Sequence, residues 1–345
     1  MIIVLGMAGS GKTTLLSRIY RHLSVEKNQT RKPLELIQVS SEDGTAPVAA
    51  PAVPAADGDA TNSSSSTEQK TSGGYYMNLD PAVTAMPFPP QVDIRDTVDY
   101  KGVMSQYKLG PNGAIMTSLN LFATKFDQVL KILENRALDN QVNPDKHEQK
   151  LDYIVVDTPG QIEAFTWSSS GQIFTESLAS SFPTILCFVV DTPRSTNPNT
   201  FMSNMLYGCS MLYRSRLPLL VAFNKTDIVD SEFAENWMTD YESFQTAIDD
   251  MGGDTNGSGY YATLTRSMAL TLDEFYSVLR RCGVSAATGD GMDTFFERVE
   301  ECRNDFFEGY LKDLELRRNE QTVKKEAVGR ESLKKLEEDM AQTKM

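Results

Sequence analysis

The feature that most constrains the fold is a glycine-rich segment at residues 6–13, which directly follows an apolar run at residues 2–5 and has the pattern Gly-x-x-x-x-Gly-Lys-Thr. A buried strand that enters such a turn and then a helix points several backbone N–H groups at one spot, with the positive end of the helix behind them. Lys12 can then reach the terminal phosphates of a nucleotide, and the Thr13 hydroxyl can coordinate Mg²⁺. An accidental glycine turn is the alternative. The residues predicted to bind phosphate are Gly9, Ser10, Gly11, Lys12, Thr13 and Thr14.

The composition limits the size of the core and the class of partner. With 345 residues, 40% of them hydrophobic, the chain can bury one large α/β core with appendages. A net charge of −14 argues against a nucleic acid or an anionic membrane held by bulk electrostatics. We also expect no secretory signal and no membrane-spanning segment. The four cysteines lack metal-ligand spacing and are expected to be reduced thiols in a cytosolic or nuclear protein.

A second motif follows the apolar run at residues 153–156, which is typical of a buried parallel strand. The run ends at Asp157, and an acid at the end of a strand beside a phosphate loop is placed to hold Mg²⁺, usually through water. Gly160 lets the backbone approach a γ-phosphate, and Gln161 can orient the attacking water, as the equivalent glutamine does in some GTP hydrolases. The alternative is that Asp157 is an ordinary residue of a turn after a strand.

The third motif selects the base. An apolar run at residues 219–223 predicts another strand, and the sequence Asn-Lys-Thr-Asp follows it. The Asp227 carboxylate can accept hydrogen bonds from both N1–H and the exocyclic amine of guanine, a pair of donors that adenine lacks. Lys225 can lie over the ring, and Asn224 can tie the segment to the phosphate loop. An ATP hydrolase of related fold is therefore the weaker alternative. The residues predicted to contact guanine are Asn224, Lys225, Asp227 and, through its backbone N–H, Ala286.

The remaining patterns predict the architecture. Strands at residues 75–79 and 184–190, a turn at 109–113 and one long amphipathic helix behind that turn complete the core. The predicted fold is α/β: a three-layer P-loop NTPase with a mainly parallel sheet and an added helical lobe. The buried face of the long helix is expected to comprise Leu119, Phe122, Phe126, Val129 and Leu133.

We divide the chain into a P-loop GTPase domain at residues 1–302 and a C-terminal helical, charged segment at residues 303–345. A segment at about residues 35–74 is rich in Ala, Pro and Ser and is expected to form a disordered, low-complexity insertion. About residues 228–281 form a helical insertion, whose two apolar faces are expected to pack on each other and on the core, with a partner groove as the alternative. The two faces comprise Phe233, Trp237, Tyr241, Phe244 and Ile248, and then Leu264, Met268, Leu272, Phe275 and Leu279.

The motifs and their order resemble the GPN-loop GTPase family. The resemblance covers nearly the whole chain except residues 35–74 and the charged tail. Two segments, at residues 109–114 and 237–240, are most similar to the eukaryotic branch linked to RNA polymerase II assembly and nuclear import. The motifs that carry the resemblance lie at residues 6–14, 78–82, 93–96, 110–112, 157–161, 224–227 and 288–291.

The resemblance implies slow, Mg²⁺-dependent hydrolysis of GTP to GDP by a constitutive dimer, either a homodimer or a heterodimer with a GPN-loop paralogue. It implies that Asn112 of one subunit reaches the nucleotide site of the other and stabilises the leaving phosphate. We also expect Asp96 to act as an acid of the switch region. The client would be RNA polymerase II subunits, with no direct contact to nucleic acid or membrane, in the cytoplasm with shuttling to the nucleus. From the residues alone, the segment 110–112 is only an exposed turn.

A second class of function stays open at this stage. The protein could be a GTP-dependent scaffold, or a chaperone-like binding module, in which hydrolysis is negligible and the helical insertion binds the partner. The motifs do not separate this class from an enzyme, because both would need the same nucleotide-binding residues.

Overall fold

The computed structural model describes residues 1–25, 73–142, 151–251 and 258–319. The strands in these ranges are β1 (Ile2–Gly6), β2 (Gly74–Asn78), β3 (Val92–Asp93), β4 (Tyr153–Asp157), β5 (Ile185–Asp191), β6 (Leu219–Asn224) and β7 (Arg280–Val284). They form one sheet in the order β3-β2-β4-β1-β5-β6-β7, and every neighbouring pair is parallel.

Twelve α-helices lie in the described ranges. They are α1 (Lys12–Val25), α2 (Tyr100–Tyr107), α3 (Pro111–Ala123), α4 (Phe126–Val142), α5 (Ile162–Thr166), α6 (Ser169–Ser181), α7 (Thr192–Ser195), α8 (Pro198–Ser215), α9 (Glu232–Thr239), α10 (Tyr241–Met251), α11 (Ser258–Val278) and α12 (Met292–Asp305). A 3₁₀ turn occupies Ile94–Asp96, and a π-helix occupies Phe306–Leu311.

Helices cover both faces of the sheet, and this confirms the predicted three-layer α/β fold. Ile2 and Val4 belong to a hydrophobic cluster formed with α1 and α12, whereas Ile3 and Leu5 belong to a larger cluster formed with α3, α4, α6 and α8. Because both faces of a parallel sheet are covered, its central strands are mostly continuous apolar runs rather than alternating patterns. The continuous apolar runs in the sequence follow from this burial.

The position of β1 decides where a ligand can bind. The chain builds the sheet on one side of β1 with β2, β3 and β4, and on the other side with β5, β6 and β7. The strand order therefore reverses at β1, and the loops that follow β1 and β5 part to leave a crevice at the carboxyl ends of the strands.

Two strands at the edges of the sheet were missing from the sequence-based prediction. β3 is only two residues long, and β7 begins with Arg280 and Arg281 and contains Gly283. Both lie at the edges of the sheet, each with one hydrogen-bonded neighbour among the described strands, so they need less apolar character than the central strands. The five predicted strands are present.

The prediction of a turn at residues 109–113 is wrong, because a helix starts inside this segment. Gly110 is the N-cap of α3 and Pro111 is its first residue, a position where the missing proline N–H costs no hydrogen bond. The predicted long helix is also two helices, since α3 ends before Thr124 and α4 starts at Phe126. The hydroxyl of Thr124 donates to the Leu121 carbonyl at 2.7 Å, a local bond that competes with helix continuation. All five residues of its predicted buried face are buried.

The helical insertion packs on the core, as predicted. The ring of Trp237 lies 5.3 Å from that of Phe201 in α8 and 5.4 Å from that of Phe244 in α10. Phe244 is only 2% exposed, and α11 packs against α8, α9 and α10. Leu264 is 38% exposed, so its assignment to the buried face was wrong. The glycine-rich segment at residues 252–259, which is predicted to break the chain between the two faces, lies outside the described residues except for residues 258 and 259.

Two other predictions concern the ends of the domain. Of the expected insertion at residues 35–74, only the last two residues are described, and Gly74 already belongs to β2. The predicted boundary at 302/303 falls inside α12, which continues through the π-helix to residue 319. Phe306 is completely buried, so the start of the C-terminal segment is part of the core.

Two expectations from composition can be compared with the described residues. In those ranges no helix has both the length and the apolar character needed to cross a membrane. The four cysteines are free thiols: Cys187, Cys282 and Cys302 are buried, and Cys209 is partly buried.

We predict that Phe244→Ala lowers the free energy of unfolding by about 3–5 kcal/mol, because it removes a buried ring between α8 and α9. The matched control is Leu264→Ala in the same insertion, which should change it by about 0.5 kcal/mol or less because that side chain is partly in solvent. Urea denaturation followed by circular dichroism measures both. Equal, small effects of the two substitutions would mean that the helical insertion does not pack on the core.

Candidate functional site

The phosphate loop joins β1 to α1 and is shaped by its glycines. Gly9 and Gly11 have φ angles of +83° and +87°, in the left-handed region that favours glycine. The Lys12 ammonium donates to the Gly6 carbonyl at 2.7 Å and to the Met7 carbonyl at 3.3 Å, so it is held over the loop. Burial lowers the pKa of Lys12, while the nearby Asp157 and Asp80 carboxylates oppose that shift.

Two carboxylates stand beside Lys12 at the ends of β4 and β2. Asp157 is 3% exposed, and its Oδ1 has no hydrogen-bond partner among the residues that the structure describes. Burial raises the pKa of the Asp157 carboxyl to about 7, the Lys12 ammonium opposes this shift, and Asp80 adds to it. Burial also raises the pKa of Asp80, against the opposing effect of backbone N–H groups of Ala82 and Gly160 and of Lys12. Lys12, Asp80 and Asp157 therefore affect one another's pKa.

Gln161 and Asn112 meet next to this group. Gln161 precedes α5, and Asn112 lies in the first turn of α3. The side-chain amide of Gln161 donates to Asn112 Oδ1 of the same chain at 2.5 Å. The structure thus brings the predicted water-orienting residue and the residue of the Gly-Pro-Asn segment together within one subunit, at a site that solvent can reach.

The predicted guanine-binding residues converge after β6 and β7. Asn224 is 1% exposed, and its amide donates to the Ser10 carbonyl at 2.9 Å, as the sequence predicted. Its Oδ1 accepts from the Ala286 N–H at 3.1 Å. The exposed Asp227 accepts from the Ser285 hydroxyl at 2.7 Å, which fixes one of its two carboxylate oxygens.

Lys225 reaches back to the phosphate loop, and the sequence-based prediction had missed its partner. Its ammonium donates to the Gly9 carbonyl at 2.9 Å and to Asp191 Oδ2 at 2.7 Å. Asp191 closes β5, and Arg194 of α7 lies 3.4 Å from the same carboxylate oxygen. The sequence did contain a signal for this contact, because Asp191 is an acid at the end of a strand that neighbours β1.

The predicted switch-region acid, Asp96, lies in the 3₁₀ turn and is exposed. Its neighbour Asp93 is buried and holds this region together instead. Asp93 pairs with Arg95 at 2.6 Å and accepts from the Asn78 amide at 3.0 Å. Burial would raise the pKa of Asp93, but its hydrogen bonds from Arg95 and Asn78 hold that pKa below its ordinary value.

Thr13 and Thr14 lie in the first turn of α1, where Thr13 is partly buried and Thr14 is exposed. The structure therefore brings together the predicted phosphate, metal and base residues at the carboxyl ends of β1, β4, β6 and β7. Asp80 is a further member of the site. It lies within the motif at residues 78–82, but the sequence does not reveal its role, which depends on the pairing of β2 with β4.

Comparisons with known proteins fit this geometry. A family model described as a conserved hypothetical ATP binding protein matches residues 60–304. GPN-loop GTPase 1 of Dictyostelium discoideum is 48% identical over 343 residues, which are 99% of this chain and 71% of the relative. GPN-loop GTPase 1 of Saccharomyces cerevisiae is 44% identical over 98% of this chain and 75% of the relative. The family model's description names ATP, whereas the carboxylate of Asp227 favours guanine.

The fold is also similar to a solved structure. A GTPase from Pyrococcus abyssi in its apo form superposes with a TM-score of 0.60 over 89% of this chain and 96% of that chain, at 21% identity. This likeness supports the fold, and the sequence relatives support the family. The chain belongs to the GPN-loop GTPase family of GTP hydrolases.

Proposed function

We propose that this protein binds GTP with Mg²⁺ and hydrolyses it slowly to GDP, and that it does so as a dimer. The observation that carries the proposal is the convergence of Lys12, Asp157 and Asp227 at one edge of the sheet. The first is suited to phosphate, the second to a metal and the third to guanine. Asn224 links the loops that carry them, through its hydrogen bonds to the Ser10 carbonyl and the Ala286 N–H.

The residues that would hold Mg²⁺ fit a cation that binds few protein ligands. No cluster of three or more His, Cys, Asp or Glu side chains suited to a metal occurs in the described residues. Mg²⁺ usually takes only one or two carboxylates and completes its shell with phosphates and water. Asp157 offers a buried oxygen that has no partner in the described part of the chain, and Thr13 offers a hydroxyl in the first turn of α1. When bound, the cation would neutralise charge on the phosphates.

Gln161 would act by orienting the attacking water. One N–H of its amide is taken by Asn112 Oδ1, and this contact orients the amide. The carbonyl oxygen of Gln161 can then accept a hydrogen bond from the attacking water. Lys12 has one donor left for the phosphates, because an ammonium carries three N–H groups and two are engaged with the Gly6 and Met7 carbonyls.

Exposed apolar side chains support the proposed dimer. Met116 and Leu121 of α3, Trp167, Ile173 of α6 and Leu206 of α8 are each 37–48% exposed. The helices α3, α6 and α8 pack side by side on one face of the sheet. Where such side chains form one contiguous patch, the patch marks a site of protein association. In the dimer, homodimeric or formed with a GPN-loop paralogue, Asn112 of one subunit would complete the site of the other.

The proposed client is RNA polymerase II, whose subunits the dimer would help to assemble in the cytoplasm and deliver to the nucleus while shuttling itself. The support is the similarity of residues 109–114 and 237–240 to the eukaryotic branch of the family. The net charge of −14 favours protein contacts over nucleic acid or membrane. Purification of the complex from its own cells, with its size and composition, tests this part of the proposal.

A GTP-dependent scaffold or chaperone-like module with negligible hydrolysis is the second candidate, favoured by the exposed apolar surface. A single-turnover assay separates the two. Purified dimer loaded with radiolabelled GTP and Mg²⁺ should convert the bound nucleotide to GDP, and Lys12→Ala should abolish the conversion. Absence of conversion over hours would favour the scaffold.

The contact of Asp227 with the base gives a first prediction. Asp227→Asn should shift preference from guanine to xanthine nucleotides, because an amide replaces one acceptor by a donor and suits a ring with a carbonyl in place of the amine. Titration with GTP and xanthosine triphosphate measures the two affinities. An unchanged affinity for GTP would remove Asp227 from the base site.

The buried carboxyl of Asp157 gives a pH-dependent prediction. Its pKa in the folded protein, about 7, is above its ordinary value of 3.8, so folding favours the protonated form. The stability this provides is present below pH 3.8 and is lost as the pH rises through 7. In nucleotide-free, Mg²⁺-free buffer, Asp157→Asn should therefore raise Tm by roughly 5 °C at pH 8 and by little at pH 4.

Thermal melts at both pH values test this prediction, with Asp96→Asn as the control at an exposed acid. The control should show no such pH-dependent gain. A gain from Asp157→Asn that is the same at pH 4 and pH 8 would contradict the assigned burial of the charge.

The place of Asn112 gives a third prediction. Asn112→Ala should bind GTP normally and lose about a hundredfold in hydrolysis, the effect of removing one preorganised donor. A mixed dimer of Asn112→Ala and Lys12→Ala subunits then tests the geometry. If Asn112 acts across the interface, one complete site is rebuilt and up to about half of the wild-type activity returns.

The contact between Asn112 and Gln161 within one chain supports the opposite arrangement, in which each subunit uses its own Asn112. In that case the mixed dimer contains no complete site. Mixed dimers that form and stay as inactive as both parents would therefore overturn the proposed action across the interface.

A further inference from the structure

Arg18 connects the helix behind the phosphate loop to the loop that follows β7. Arg18 lies in α1, about one and a half turns after Lys12. Its Nε donates to the Ala286 carbonyl at 3.1 Å, and another nitrogen of the same guanidinium donates to the Ala287 carbonyl. The planar guanidinium can make two such bonds at once because its donors form a rigid fork. These two carbonyls are therefore fixed relative to α1.

The loop itself is shaped to receive this side chain. Gly289 has a φ of +98°, and a Cβ at this position would lie only 3.0 Å from the Arg18 guanidinium. The Gly289 N–H donates to the Ser285 carbonyl at 2.8 Å, which closes the turn. The absence of a side chain at residue 289 thus leaves room for Arg18 against the outside of the turn.

The opposite side of the same loop faces the guanine-binding residues. The Ala286 N–H donates to Asn224 Oδ1 at 3.1 Å, and the Ser285 hydroxyl donates to Asp227 at 2.7 Å. Ala286 is accordingly clamped through both of its backbone groups: its N–H is held by Asn224 and its carbonyl by Arg18. Loss of either clamp would let the Ala286 N–H move relative to Asp227.

We propose that Arg18 is a positioning residue for base selectivity. It holds the Ala286 peptide so that its N–H, which donates to Asn224 Oδ1 in this structure, is shared with the oxygen on carbon 6 of a bound guanine. This inference rests on the proposed binding of a guanine nucleotide. At the same place adenine carries an amine, and two donors facing each other are unfavourable. Arg18 therefore contributes to the rejection of adenine without touching the base.

Three nucleotides separate this role from a general structural one. GTP and inosine triphosphate share the oxygen on carbon 6, and ATP lacks it. Only GTP has the 2-amino group that Asp227 recognises. The ratio of GTP to ATP affinity therefore reports on the Ala286 N–H, and the ratio of GTP to inosine triphosphate affinity reports on Asp227.

The test is equilibrium binding of the three nucleotides with Mg²⁺ to the full chain, wild type and Arg18→Ala, with folding checked by thermal melting. The affinities for GTP and inosine triphosphate should each fall by about tenfold, while ATP stays unchanged, so the GTP to ATP ratio falls by about tenfold. The GTP to inosine triphosphate ratio should not change. Arg21→Ala, at an exposed arginine of the same helix, is the control and should leave all three affinities as in wild type.

Other outcomes of the binding experiment would contradict the positioning role of Arg18. An equal loss for all three nucleotides, or no loss, would overturn the positioning role. If Arg18→Ala does not fold, Arg18→Lys decides: it retains one of the two contacts, so its GTP to ATP ratio should fall by about threefold, and an unchanged ratio overturns the inference. Wild-type protein that does not prefer GTP over ATP would instead refute the proposed function itself.

Discussion

The buried carboxamide of Asn224 is the interaction on which the arrangement of the site depends. It donates to the Ser10 carbonyl of the phosphate loop at 2.9 Å and accepts from the Ala286 N–H at 3.1 Å. The side chain is 1% exposed, so either bond, if lost, would leave a buried polar group unsatisfied. Asn224 can reach both loops because β6 lies two strands from β1 and beside β7. The sheet order thus makes one site out of loops that are more than 200 residues apart.

The buried charges of the site favour binding of phosphate and a cation at the expense of the stability of the free protein. Lys12 and Asp157 are both less than 10% exposed, and burial moves the pKa of each toward its neutral form. Such groups cost stability in the free protein and gain favourable partners when phosphate and a cation bind. Asp191 plays a related part on the other side of β1, where its carboxylate neutralises Lys225 and holds it at the Gly9 carbonyl.

The sequence predicted the structure best where a local pattern of residues determines the local fold. The apolar run of β1, the glycines after it and the order of the later motifs were sufficient for the central strands and for the location of Lys12, Asp157 and Asn224. The sequence-based prediction failed where a contact between distant parts of the chain determines the structure. The edge position of β7 makes Arg280 and Arg281 tolerable in a strand. The contact of Arg18 with Ala286 joins residues 268 positions apart, and no local pattern indicates it.

Three separate loops act as one guanine-nucleotide site, and hydrogen–deuterium exchange measured by mass spectrometry tests this most directly. With Mg²⁺, GTP should slow exchange of the backbone amides in residues 6–13, 224–227 and 285–289 together, whereas ATP at the same concentration should not. Protection confined to residues 6–13, or equal protection by GTP and ATP, would contradict the claim.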